Sequence, residues 1–239
     1  MPGPNYLIEK LIRKLLDLDG ICGMQIYSLE LLEKYRRIPT TTISDALDLL
    51  DIKGVIVGLK PIIDDVKIVG PAFTVKETPR KTSISEFRVT EALDLAGPGA
   101  VMVFDVEGYV EASTWGGLAS LSAKAKGVEG VVVNGAVRDI DEIKRIKFPV
   151  FARAVTPVTG KGRIATLSIN TEIEIDGVKI NPGDLVVGDG NGIVVIPCEK
   201  VLEVLRIAME IEEKEEKIRM LIISGKTAVE AERELKTKI

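Results

Sequence analysis

The sequence predicts an α/β fold on three observations. A strand–helix–strand–helix–strand succession runs over residues 100–153, β-branched runs with turn signals flank it on both sides, and a long amphipathic helix occupies 199–223. With 239 residues, of which 46% are hydrophobic and 28% charged, the chain can bury a core without crosslinks, and general disorder is excluded. Aromatic residues make up only 4%, so that core has to be aliphatic.

Leu7, Leu11, Leu15 and Leu18 stand at helical spacing within 5–18, and a short charged helix over 28–37 follows Ser28; together they form an N-terminal helical arm. Thr40 to Leu50 reads as a helix with Thr42 as N-cap, Asp45 at the capping-box position and Ala46, Leu47 and Leu50 on its apolar face. Short β runs then cover 54–59, 66–69 and 72–76, broken by Pro61, Gly70 and Pro71, whereas 77–92 is too polar to assign. In the central unit, strands at 100–105, 130–134 and 149–153 alternate with helices at 116–126 and 140–147, and Gly127 stops the first helix. Asp176-Gly177 and the Asp189–Gly192 cluster mark hairpins in the β-rich stretch 163–197. On the final helix Val201, Leu205, Ala208, Ile211 and Ile218 share a face, with Glu210/Lys214, Glu213/Lys217 and Glu215/Arg219 as supporting pairs.

Charge and composition exclude several function classes. A net charge of −4 argues against a nucleic-acid surface, which needs clustered Lys and Arg. No apolar run approaches the roughly 18–20 residues that span a bilayer, and charges interrupt any signal-peptide core within 1–20. Cys22 and Cys198 fit no paired framework, which points to a reducing compartment, and the expected location is the cytoplasm. The chain has no histidine, so Ser-His-Asp and Cys-His chemistry and His-ligated zinc are excluded. What remains is chemistry by carboxylates, Lys, Arg, hydroxyls, backbone amides or a hard metal ion held by oxygen.

Parallel strand–helix–strand topology brings the N-terminus of helix 116–126 and the loop 135–139 to the same carboxyl edge of the sheet, where open α/β sheets bind ligands. At Gly116, Gly117, Leu118 and Ala119 the first-turn amides lack helical acceptors and form an anion cradle that two glycines leave open. Opposite them, Arg138 offers a two-donor fork and Asp139 a hard ligand for a divalent ion. Blander roles suit the same residues: Asp139 and Glu142 as a helix cap, the glycines as packing contacts, Arg138 as a surface ion pair. Gly188–Gly192 reads as a hairpin and not a nucleotide loop, Thr159–Arg163 as a solvated loop, and Lys76 as a strand lysine whose alternative is a Schiff-base amine.

The strings WGGLAS (115–120), GVEGVVVNGAVRDIDEI (127–143), FPVFARAVTP (148–157) and NPGDLVVGDGNGIVVIP (181–197), with GLKPI (58–62) and GPAFTV (70–75), resemble the RraA-like family. That family includes 4-hydroxy-4-methyl-2-oxoglutarate aldolases, oxaloacetate decarboxylases and regulators of ribonuclease E. The resemblance spans roughly 38–223, leaving 1–37 as the helical arm and 224–239 as a C-terminal tail. It implies a β/β/α sandwich of the swivelling-domain type, a trimer or hexamer, and a site near a subunit interface. It further implies that the amides of Gly116, Gly117, Leu118 and Ala119 hold a pyruvate-like 2-oxo acid, that Arg138 clamps it, and that Asp139 binds Mg²⁺ or Mn²⁺. Aldolases of the family usually carry Asp or Glu where this chain has Gly117, so the proton carrier is open, with Asp105 or an adjacent subunit's Asp189 as substitutes. The resemblance thus supports two functions: a metal-dependent carbon–carbon lyase, or a non-catalytic regulator that binds an RNA-degrading enzyme.

Overall fold

The computed structural model describes residues 27–79 and 89–236. The helix expected over 5–18 lies outside these residues. In chain order the elements are α1 (Leu29–Arg37), α2 (Thr40–Leu49), β1 (Val55–Ile56), β2 (Lys60–Pro61), β3 (Ile68–Pro79), α3 (Val89–Leu95), β4 (Val101–Asp105), β5 (Ser113–Trp115) and α4 (Gly117–Ala125). There follow β6 (Gly130–Val137), α5 (Ile140–Ile146), β7 (Val150–Val155), β8 (Ile164–Ile169), β9 (Ile173–Ile175), β10 (Val178–Ile180), β11 (Leu185–Asp189), β12 (Gly192–Ile196), α6 (Val201–Ile223) and α7 (Ala228–Lys236).

The order across the main sheet is β1-β12-β11-β3-β4-β6-β7-β2, with β5 on β6 and β8 on β3. As expected, β4, β6 and β7 are parallel, and all eight residues of β6 are buried. The strand β3 spans two sheet regions: Ile68–Pro71 pairs antiparallel with β11, and Ala72–Lys76 pairs parallel with β4. Gly70 and Pro71, expected to end a strand, instead mark where one twelve-residue strand crosses over. Gly70 has to be glycine because a Cβ there would collide with the carbonyl oxygen of Gly99.

Three apolar clusters give the β/β/α layering. Helices α3, α4 and α5 cover one face of the parallel strands through Leu93, Ala123 and Ile143 against Phe104, Val131 and Val133. The opposite face, through Val101, Val103, Val132 and Phe151, meets the β9–β10 hairpin and Val186, Ile193 and Val195 of β11 and β12. On the far side of β11 and β12, α1, α2 and α6 pack Tyr35, Leu47 and Val204 against Leu185, Val187 and Val194.

Local sequence rules account for most element ends. Ser28 caps α1 by accepting from Leu31 N, and Lys126-Gly127 closes α4 with Gly127 at φ 75°. Both hairpin signals form turns, Asp176-Gly177 with both φ positive. Helix α2 differs from expectation: Thr42 lies inside it, and Asp189 from the β11 end caps it by accepting from Thr40 N (2.8 Å) and Thr40 Oγ1 (2.7 Å). The end of a helix is thus held by a residue almost 150 positions away, beyond the reach of local spacing. Of the three expected ion pairs on α6, Glu213–Lys217 forms (2.7 Å), whereas Glu210 pairs with Arg206 and Arg219 with Glu216. The C-terminal tail contains the helix α7, packed on α6.

Cys198 is disulfide-bonded, so the expectation of unpaired cysteines does not hold, and the argument from cysteine usage to a reducing compartment falls with it. Among the described residues no helix is long and apolar enough to cross a membrane.

Candidate active site

The strand β6 delivers Arg138 and Asp139 to the carboxyl edge of the sheet, beside the end of β5. Arg138 N donates to Trp115 O (2.9 Å), which fixes the Arg138-Asp139 turn against the residue preceding Gly116. Asp139 is left-handed (φ 58°, ψ 43°), a conformation uncommon outside glycine though tolerated best by Asp and Asn. It occupies the N-cap position of α5, yet its side chain makes no cap bond there. Its Oδ2 instead accepts from Gly117 N (3.1 Å), the first residue of α4. Arg138 Nε stands 3.5 Å from that same oxygen, and both side chains are a little under half exposed. The expected facing of the 116–119 turn and the Arg138-Asp139 pair is therefore present within one protomer.

The two glycines do different work. A Cβ on Gly116 would lie 2.6 Å from Asp139 Oδ2 and 3.1 Å from Arg138 Cγ, so a side chain there would displace the pair. At Gly117 the space of a side chain is filled by the carboxylate of Glu142, which reaches over from α5. A carboxylate thus stands beside the turn although residue 117 carries none. The amide of Gly117 is taken by Asp139, while those of Leu118 and Ala119 have no intrahelical acceptor, the N-cap Gly116 supplies no side-chain bond, and the helix dipole adds positive potential.

Gly116, Leu118, Ala119, Arg138 and Asp139 open into a cavity of about 900 Å³ whose walls also include Thr114, Lys161 and Glu77. The loop Thr159–Gly162, expected to be merely solvated, forms one wall. Its Gly160 packs so closely on Ser113 O that a Cβ would clash with it. Glu77 is 1% exposed; Thr166 Oγ1 donates to its Oε1 (3.0 Å) and Thr114 Oγ1 to its Oε2. Burial raises its carboxyl to about 7, against the two hydroxyl bonds that lower it. Sequence reasoning missed Glu77 because it lay at the start of the unassigned polar stretch. A β-bulge between Lys76 and Glu77 sets its position.

The two suggested substitute carboxylates are engaged elsewhere. Asp105 is bonded by Lys76 Nζ (2.5 Å), Asn134 Nδ2 (2.7 Å) and Glu107 N (2.9 Å) and lines a separate 410 Å³ pocket, while Asp189 caps α2. Lys76, held by Asp105, is not the free amine a Schiff base needs. As to a metal, Asp139 Oδ1 has no bonding partner among the described residues, and the oxygen-only donor set fits Mg²⁺ or Mn²⁺, which keep several waters and take one or two carboxylates. The trio Asp184, Cys198 and Glu199 is also compact, but the Cys198 sulfur is committed to a disulfide and offers no thiolate.

Residues 40–195 match the RraA-like family, described as Aldolase/RraA. The chain belongs to the RraA-like family. It is 36% identical over 203 residues to a Halalkalibacterium halodurans protein named "Putative 4-hydroxy-4-methyl-2-oxoglutarate aldolase", covering 85% of this chain and 93% of that one. It is 35% identical over 202 residues to Protein DlpA of Legionella pneumophila; the match covers 84% of this chain but spans only 33% of that relative's length. The crystal structure of Streptomyces coelicolor RraAS2, described as an unusual member of the RNase ES inhibitor RraA protein family, superposes with a TM-score of 0.75 at 27% identity, covering 82% of this chain and 99% of that one. The RraA-like fold expected from the sequence is thus shown, and relatives of this family bear aldolase and inhibitor names alike.

Proposed function

We propose that the chain is a divalent-metal-dependent carbon–carbon lyase acting on small 2-oxo acids, by retro-aldol cleavage of 4-hydroxy-4-methyl-2-oxoglutarate-like substrates or by decarboxylation of oxaloacetate. Both reactions release pyruvate through its enolate. One observation carries the reading: the first turn of α4, through Gly116, Leu118 and Ala119, and the Arg138-Asp139 pair line one cavity, with Asp139 bonded to Gly117 N behind it.

In this reading the amides of Leu118 and Ala119 hold the substrate carboxylate, while the bare backbone at Gly116 and Gly117 makes room for the Asp139 and Glu142 carboxylates beside them. Arg138 directs its donors onto the C2 oxygen, where negative charge grows as the carbon–carbon bond breaks. Asp139 would hold Mg²⁺ or Mn²⁺, with Glu142 as a further carboxylate at the same helix start. Such an ion, when bound, polarises the keto oxygen and so favours the enolate. The left-handed backbone of Asp139 keeps its carboxylate turned toward α4 and away from its own helix. Assembly as a trimer or hexamer in the cytoplasm belongs to the same reading, and Leu118, 78% exposed on α4 beside the cavity, supports a neighbour at this rim.

The test is to incubate the purified full chain with Mg²⁺ or Mn²⁺ and either substrate, following pyruvate by a coupled dehydrogenase. Turnover that stops with chelator and returns with added metal is the expected outcome. Silence on both substrates removes the lyase reading and leaves the regulatory one, in which the fold binds an RNA-degrading enzyme.

A further inference from the structure

Retro-aldol cleavage needs a group that takes a proton from a hydroxyl and gives one to carbon, and none of the residues assigned so far does this. Glu77 has the placement for it. Its carboxyl is buried, forms part of the wall of the cavity shared by Gly116, Arg138 and Asp139, and bonds Thr114. Thr114 precedes Gly116 by two residues, a backbone reach of at most about 7 Å, comparable with the length of a five-carbon diacid. Leu118 and Ala119 line the same cavity as Glu77, so a ligand anchored by its C1 carboxylate at the α4 amides shares that space with the Glu77 carboxyl.

We propose that Glu77 is the proton carrier of the 2-oxo acid site, a role that rests on the lyase reading above. Its carboxylate takes the proton of the C4 hydroxyl, the O–H electron pair becomes the new C4 carbonyl, and the C3–C4 bond pair moves into the C2–C3 enolate. The same proton then passes from Glu77 to C3, giving pyruvate and a second 2-oxo acid. In oxaloacetate decarboxylation only the second transfer is needed, and the proton is regained from water.

The surroundings suit a reversible carrier. Among the described residues the bonds to Glu77 come from two hydroxyls and from no cation, so neither protonation state is locked. Among the described residues the charged side chains facing the same cavity are Asp94 from α3, paired with Lys126; Arg138 and Asp139 at the start of α5; and Lys161 from the loop before β8. Lys76 and Asp105 line the other pocket. A carboxyl poised near neutrality gives and takes protons at working pH, which general acid–base action requires.

The experiment measures kcat and KM from pH 5.5 to 9 for the wild type, Glu77→Gln and Thr114→Val, with Mn²⁺ and 4-hydroxy-4-methyl-2-oxoglutarate. Glutamine keeps shape and hydrogen bonding but carries no proton, so kcat should fall by about 10²-fold or more while KM stays within about threefold. The wild-type rate should rise with pH to a plateau through a midpoint near 7, and that limb should vanish in Glu77→Gln. Thr114→Val removes one hydroxyl bond to the carboxylate, so its limb should move to higher pH with most of the plateau rate retained. A second readout needs no turnover. The folded carboxyl titrates above its ordinary 4.5, so wild-type melting temperature should fall as pH rises from about 4.5 to about 7, and Glu77→Gln should lose that dependence. Wild-type turnover with an unchanged rate and pH profile in Glu77→Gln overturns the carrier and leaves the lyase reading standing. Absence of wild-type turnover on both 2-oxo acids overturns both. Should Glu77→Gln not fold, Thr114→Val decides, and an unmoved limb overturns the carrier.

Discussion

Lys76 and Glu77 are neighbours on one strand, yet they belong to polar regions of opposite character. On the Lys76 side the charges form a connected network, with only the exposed Glu174 outside it: Lys76 bonds Asp105, Asp105 bonds Asn134, Asn134 bonds Arg153, and Arg153 reaches Asp176 at 2.6 Å. This chain stitches the ends of β3, β4, β6 and β7 to the β9–β10 hairpin. On the Glu77 side the groups are left partly unanswered among the described residues: a carboxyl with hydroxyl partners only, two helix amides without acceptors, and an arginine and an aspartate each a little under half exposed. A closed network rigidifies a fold, whereas an open one keeps bonding capacity for something that arrives. In the lyase reading the contrast leaves structure to one pocket and chemistry to the other, although both sit at the carboxyl edge of the same sheet.

Substitutions on the two sides should therefore separate stability from turnover. The largest effect is expected for Arg138→Ala, which in the lyase reading removes the donor for the developing oxyanion. Turnover should drop on the order of 10²–10³-fold with unchanged urea unfolding, because the side chain is exposed and makes only a 3.5 Å contact with its neighbour. Full activity in that variant would take Arg138 out of the mechanism. Lys76→Met should do the reverse. The Asp105 side chain, 3% exposed, keeps Asn134 and the Glu107 amide but loses its cation. Since Lys76 is itself 30% exposed, the loss should be about 1–2 kcal/mol in urea unfolding, well below a fully buried pair, with kcat within about twofold. If turnover collapsed while stability held, the two pockets would have to exchange roles.

How much of this was readable beforehand follows the same division. The β4–α4–β6–α5–β7 unit was legible because apolar runs, the Gly127 stop and the hairpin dipeptides are local signals, and its parallel topology placed the 116–119 turn opposite Arg138 and Asp139. The passage of β3 from one sheet region to the next was not, since Gly70-Pro71 reads locally as a break and only the close approach to Gly99 shows its purpose. Glu77 and Glu142 were hidden for another reason. Their settings are made by distant partners: Thr114 and Thr166 for the first, and the missing side chain of Gly117 for the second. The carboxylate that Gly117 lacks has a counterpart in Glu142 from the neighbouring helix, which only three-dimensional packing reveals.

A third carboxylate sharpens the comparison from the antiparallel half of the molecule, where the smallest effect is expected. Asp189 looked like a possible proton carrier in the sequence, but it accepts from Thr40 N, Thr40 Oγ1 and Asn191 N and pairs with Lys67 at 3.2 Å. Burial alone would raise its carboxyl; the Thr40 and Asn191 hydrogen bonds and the Lys67 charge outweigh that and hold it at about 2. A depressed folded value means that Asp189 contributes stability above the ordinary 3.8, and that this contribution drains away as pH falls from there toward about 2. Asp189→Asn keeps one acceptor for the α2 cap and gives up the charge, so it should cost about 1 kcal/mol at pH 7 and less with each step of acidification through that window. Urea midpoints measured for both proteins at pH 7, 4 and 3 would show the curves converging. A constant gap across those pH values would mean that the cap works through shape and not charge, and the closed character of this region would then owe nothing to the ionised state of its carboxylate.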